Sequence, residues 1–153
     1  MRAIVCELLR AFGVREILEA DSGAEALRKT QLWEPDIVIC DYAMELDGFT
    51  FTRRVRRGET RLDPTLPVIL MTGHTEASRV IAARDAGITE FLAKPLSAES
   101  LFSRIAAVID RPRPFAHSPD YVGPDRRRRA SNHGGFRRRA EDDQGESFEL
   151  DNT

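Results

Sequence analysis

Two cysteines, Cys6 and Cys40, are all that the chain has, and they form no CxxC pair. That excludes a disulfide framework and a zinc ribbon, and it suits a cytoplasmic location with a reducing cytosol. No apolar run reaches the roughly 18 residues that a transmembrane helix needs. The opening residues, MRAIVCELLRAFG, lack the long apolar block and small-residue cleavage site of a secretory signal. Lysine is scarce as well: Lys29 and Lys94 are the only two among 23 basic residues.

Charge is abundant by contrast, and unevenly placed. The formal net charge of the 153 residues is −2. Residues 1–110 carry 14 Lys/Arg against 17 Asp/Glu, residues 111–139 carry 9 Arg against 2 Asp, and residues 140–153 carry 6 acids and no base. Such asymmetry marks a compositional boundary. The expected organisation is therefore a domain over 1–110 and a disordered charged tail over 111–153, basic over 111–139 and acidic over 140–153. Arg111-Pro-Arg-Pro114, Gly123-Pro124 and Gly134-Gly135 fall in that tail, where the charge blocks leave little to bury. Phe115, Tyr121, Phe136 and Phe148 are scattered apolar points within it that could dock onto something.

Within 1–110 the hydrophobic spacing alternates between two periods. Met1, Ile4, Val5, Leu8, Leu9 and Phe12 repeat with helical spacing, and Gly13 ends the pattern. REILEA, around Ile17, reads as a short strand. Ser22-Gly-Ala-Glu25 reads as a capping box opening a helix that runs toward Trp33. Ile37–Cys40 and Pro67–Met71 are continuous apolar runs, as in strands buried on both faces. Between them, after Asp47-Gly48, a helix is expected with Arg53, Arg54, Arg56 and Arg57 on a basic face. A helix over Glu76–Ala86, a strand over Glu90–Ala93 and a helix capped by Ser97 complete the pattern. Strands alternating with helices through short connections imply an α/β fold, a doubly wound parallel sheet. The chain opens on a helix, whereas such folds normally open on a strand.

Ligand sites in open α/β sheets lie beyond the carboxyl ends of the strands. Three of the strands stop at a polar residue there: Asp41, Thr72 and Lys94. The set suits phosphoryl transfer to a carboxylate. Asp41 would be the nucleophile, and Thr72 and Lys94 would bind the transferred oxygens. Lys94-Pro95 is a candidate cis peptide aiming the lysine at the pocket.

PDIVICDYAMELDGF, LPVILMTGHT and DAGITEFLAKPLS, in this order, resemble the receiver domain of two-component response regulators, the family of the chemotaxis response regulator. The likeness runs from Met1 to about Asp110. It implies the flavodoxin-like order 2-1-3-4-5 without its first strand, so four strands with five helices. It implies that Asp41 accepts a phosphoryl group from a histidine kinase or phosphotransfer protein. Thr72 would then move toward the phosphate, Phe91 would turn inward as a switch, and the fourth helix, fifth strand and fifth helix would meet a downstream protein. The resemblance implies no enzymatic output and Mg²⁺ as the cofactor. It assigns the ion to Asp41, the Ala43 backbone carbonyl and an acidic pair that would precede Met1, so the natural start is expected upstream. The loop from Asp41 to Gly48 is one residue shorter than the family's usual one and lacks its proline.

Two other readings accompany this one. Without the acidic pair, the domain could be a pseudo-receiver that docks partners regardless of phosphorylation. The run Arg126, Arg127, Arg128 and Arg129 could take an anionic ligand, such as a cyclic dinucleotide. No helix-turn-helix pattern follows residue 110, so no specific DNA binding is expected.

Overall fold

The computed structural model describes residues 1–73 and 77–127, with the backbone alone over 44–47 and at 77. The elements are α1 (Arg2–Ala11), α2 (Gly23–Lys29), β1 (Val38–Asp41), a 3-10 turn (Tyr42–Met44), α3 (Glu45–Arg56), β2 (Val68–Thr72), α4 (Ala77–Ala86), β3 (Glu90–Ala93), α5 (Ala98–Asp110), β4 (Phe115–Ser118) and β5 (Tyr121–Pro124). β1, β2 and β3 form one parallel sheet in that order, with Val38 opposite Val68 and Leu70 opposite Phe91.

Residues alternate between the two faces of this sheet. Val68 and Leu70 pack with Tyr42, Phe49, Ala83 and Ala86 from the α3 and α4 side. Ile69 and Met71 pack with Val5, Leu101 and Val108 from the α1 and α5 side. Both faces of β2 are thus covered, as its unbroken apolar run requires. A third cluster, Phe51, Val55, Leu62 and Leu66, joins α3 to Ala26 and Leu27 of α2.

The doubly wound α/β architecture is as expected, but its strand count differs. Residues around Ile17 form no strand. A strand needs a hydrogen-bonded neighbour, and among the described residues β1 pairs only with β2. Side chains hold the segment instead. Arg2 pairs with Glu19 and Asp21, Lys29 donates to the Glu19 carbonyl, and Trp33 donates to Glu16.

The helix ends follow local chemistry. The Ser22 hydroxyl accepts from the Glu25 amide at 3.1 Å, but Glu25 reaches back to the Asp21 amide rather than that of Ser22. Ser97 and Ser100 form a reciprocal capping box on α5. α3 starts at Glu45, before Asp47-Gly48 rather than after it. Arg56 does not join a basic face: it is 2 % exposed.

Over residues 111–127 the expected disorder is not what is found. β4 and β5 form an antiparallel hairpin, with Phe115 opposite Pro124 and Ser118 opposite Tyr121. Phe115 does dock, over Arg56, whereas Tyr121 makes its contacts within the hairpin segment, to Arg126 and Pro124. Arg128, Arg129, the second arginine cluster, Phe136, Phe148 and the acidic end lie outside the described residues. Among the described residues no helix is long and apolar enough to cross a membrane.

Candidate functional site

Parallel strands deliver their last residues to one edge of a sheet. β1 ends on Asp41, β2 ends on Thr72, and Lys94 follows the last residue of β3. The Lys94 amide donates to the Thr72 carbonyl at 2.9 Å, which fixes the two chain ends side by side. Across them, Lys94 Nζ donates to Asp41 Oδ1 at 2.7 Å. The Ala43 amide donates to the same oxygen at 3.0 Å. Neither of these bonds uses Oδ2.

The two charged side chains are partly buried, at 25 % exposure for Lys94 and 22 % for Asp41. Shielding from water strengthens their charge-assisted bond. Burial pushes the Asp41 carboxyl up, but the Lys94 bond and the Ala43 amide outweigh it and hold the carboxyl below its ordinary range. Asp41 is therefore an anion at neutral pH. The neighbouring Cys40 thiol is pushed up to about 12, first by burial and then by the Asp41 charge, so it stays protonated.

Asp41, Thr72 and Lys94 thus meet at one edge. Thr72 is half-buried, and its side chain or backbone has further partners besides Lys94. Phe91 lies within β3, three residues before Lys94, partly buried against the α3–α4 core. The Lys94-Pro95 peptide is cis. His74 and Thr75, which close the second motif, and Glu76 after them lie outside the described residues, as do the side chains of Glu45 and Asp47.

Sequence reasoning missed two features near Asp41. The Ala43 amide bond is a local Asx-type turn, legible in any Asp two residues before a turn. Tyr42, buried next to Asp41, stacks edge-on against Phe49 at 6.3 Å, and the Arg79 guanidinium lies 5.5 Å from its ring. The Arg79 contact joins α4 to the 3-10 turn after β1, and no spacing rule reveals it.

For a divalent ion, the described residues offer Asp41 and the Ala43 carbonyl. Among them no three His, Cys, Asp or Glu side chains group to hold a metal. Mg²⁺ binds through carboxylates, waters and phosphate oxygens in an octahedron. With Asp41 Oδ2 and one carbonyl as the available donors, the described residues do not by themselves fit a resident magnesium ion.

The comparisons with known proteins agree with the geometry. The family model described as "Response regulator receiver domain" matches residues 1–106. The transcriptional regulatory protein GlrR of Escherichia coli is 31 % identical over 114 residues, which cover 70 % of this chain and 25 % of GlrR. The chain thus spans about a quarter of the length of the curated relatives it matches. A response regulator structure from Chloroflexus aurantiacus is 34 % identical, with a TM-score of 0.64, covering 72 % of this chain and 88 % of that one. The receiver domain of the sensor histidine kinase PA1611 from Pseudomonas aeruginosa has a TM-score of 0.61 at 24 % identity, covering 71 % and 88 %. That protein coordinates a magnesium ion in its active-site cleft.

Proposed function

The chain belongs to the response regulator receiver domain family, and on that premise we propose that Asp41 accepts a phosphoryl group from a histidine kinase or phosphotransfer protein. The observation that supports this most is the partly buried Lys94–Asp41 pair, 2.7 Å apart at the carboxyl edge of the sheet. It keeps the nucleophile ionised and stations a cation where phosphoryl charge would arrive.

In the proposed reaction a carboxylate oxygen of Asp41 attacks the phosphorus of a phosphohistidine. A P–O bond forms and the P–N bond breaks, and its electron pair returns to the imidazole, which takes up a proton. The product on this chain is an acyl phosphate. Lys94 Nζ then pairs with phosphoryl oxygens in place of Asp41 Oδ1, and the Thr72 hydroxyl donates to another. Phe91 responds by turning inward. The readout is contact rather than catalysis, in the cytoplasm, on the face formed by α4, β3 and α5. Ile81 of α4 is an exposed apolar residue, whereas the exposed Phe102 of α5 lies edge-on to Phe12 of α1.

The single carboxylate among the described donors favours a second reading, a docking module that binds its partner whether or not Asp41 is phosphorylated. An anionic ligand on Arg126–Arg129 has less support, because Arg126 is already committed to Asp85 at 3.0 Å. Incubating the protein with acetyl phosphate and Mg²⁺ and mapping the label separates the first two readings. Label on Asp41 that is absent from Asp41→Asn supports phosphoryl acceptance. Unlabelled protein whose partner binding survives Asp41→Asn supports the docking module.

A further inference from the structure

The β4–β5 hairpin lies beyond the family match, which ends at residue 106. It docks at the end of the sheet opposite Asp41, on the turn between α4 and β3. Two four-residue strands are at best marginally stable alone, so the hairpin's order depends on what it touches.

Its contacts converge on that turn. Arg113 donates to the Thr89 carbonyl at 3.2 Å and to the Asp125 carbonyl at 2.7 Å, tying both ends of the hairpin to the start of β3. Arg126 pairs with Asp85 of α4 at 3.0 Å, and Arg84 donates to the Arg126 carbonyl at 2.9 Å. The Arg126 guanidinium lies 3.8 Å from the centre of the Tyr121 ring, and Tyr121 donates to the Pro124 carbonyl. Gly123 presses against Gly87: a Cβ on Gly123 would stand 3.1 Å from the Gly87 Cα and 2.5 Å from the Tyr121 hydroxyl.

Beneath the turn lies Arg56. It donates to the carbonyls of Gly87, Pro64 and Leu66 and to the Thr89 hydroxyl. The Phe115 ring covers it, with its centre 4.9 Å from the guanidinium. The hairpin therefore closes over a buried cation whose described bonds all run to neutral oxygens.

The position of the turn gives these contacts a consequence. α4 leads to it from the Thr72 end of β2, and β3 leads from it back to Lys94. We propose that residues 113–126 form a strap that pins the α4–β3 turn, and through it steadies the edge where Thr72 meets Lys94. The strap is a conformational device added to the receiver fold. Its anchors are mostly polar and half-exposed, so it can release without dissolving the core.

Hydrogen exchange on the full chain tests this without any phosphoryl group. In the unmodified protein the amides within residues 116–123 that bond across the hairpin are expected to be protected. Gly123→Val forces the hairpin off Gly87, and Asp85→Ala removes the Arg126 anchor. Gly123→Val is expected to speed exchange at residues 87–89 and at the Lys94 amide at least tenfold, and Asp85→Ala severalfold. β1 and α5 keep their parent rates. Strap amides that exchange as fast as an unstructured peptide overturn the proposal. So do Gly123→Val rates at 87–89 equal to the parent's. An unchanged Lys94 amide overturns the link to the pocket edge. Loss of protection throughout the sheet also counts against it, since the segment would then be part of the core.

Discussion

Lys94 Nζ and Asp41 Oδ1 stand 2.7 Å apart, each side chain partly shielded from water. The pair makes the acidity of Asp41 depend on a residue 53 positions away in the chain. Replacing Lys94 by Met leaves the burial and removes the bond that opposes it. The Asp41 carboxyl, now below its ordinary range, is expected to move up, which carbon NMR of the carboxyl resonance reads directly.

The same shift sets a dependence of stability on pH. A carboxyl depressed by folding contributes stability that is complete above its unfolded value of about 3.9 and is lost as pH falls through the folded value. The Lys94→Met variant is expected to be less stable than the parent by about 1 to 2 kcal/mol at pH 7. That gap should close as acid protonates Asp41. Urea melts at a series of pH values check it, and a gap that widens in acid contradicts the assignment.

Arg56 is the second charge on which the fold depends. Burial lowers its pKa to about 10, so it remains a cation at neutral pH. Arg56→Met leaves three backbone carbonyls short of a donor and is expected to cost about 3 to 5 kcal/mol in urea unfolding. Arg56→Lys is expected to recover little, because one ammonium cannot span the positions of a planar guanidinium.

Two glycines with similar backbones should respond differently to alanine. Gly87 has φ of +94° and Gly58 has φ of +70°, so an alanine at either position is strained by the left-handed conformation. A Cβ at Gly58 meets nothing within 4 Å, whereas one at Gly87 would stand 2.8 Å from Arg56 Cγ. Gly58→Ala is expected to cost about 1 kcal/mol. Gly87→Ala is expected to cost at least about twice that, since it also displaces Arg56. Thermal melts of the two variants under one condition make the comparison.

The sequence exposes the parts of this molecule that depend on local pattern. Ile37–Cys40 and Pro67–Met71 read as buried strands because both faces of each are apolar. The polar residue closing each strand then fell at the pocket edge, with Asp41 and Lys94 in contact. Ile17 read as a strand on composition alone, but pairing is a matter of neighbours, and among the described residues β1 pairs only with β2. Arg56 looked like its exposed neighbours Arg53, Arg54 and Arg57. Its burial depends on carbonyls brought from Pro64, Leu66 and Gly87, which no helical spacing encodes. The hairpin was hidden by prolines and charge. Its signal was two short segments with a Pro119-Asp120 connection, and its order comes from docking rather than from its own propensity.

The central claim is that Asp41 is the phosphoryl acceptor. Acetyl phosphate labelling followed by borohydride trapping and peptide mapping tests it most directly. The account predicts one trapped site, on Asp41, lost in Asp41→Asn and much slower to form in Lys94→Met. An unlabelled parent protein, or label that persists in Asp41→Asn, contradicts it.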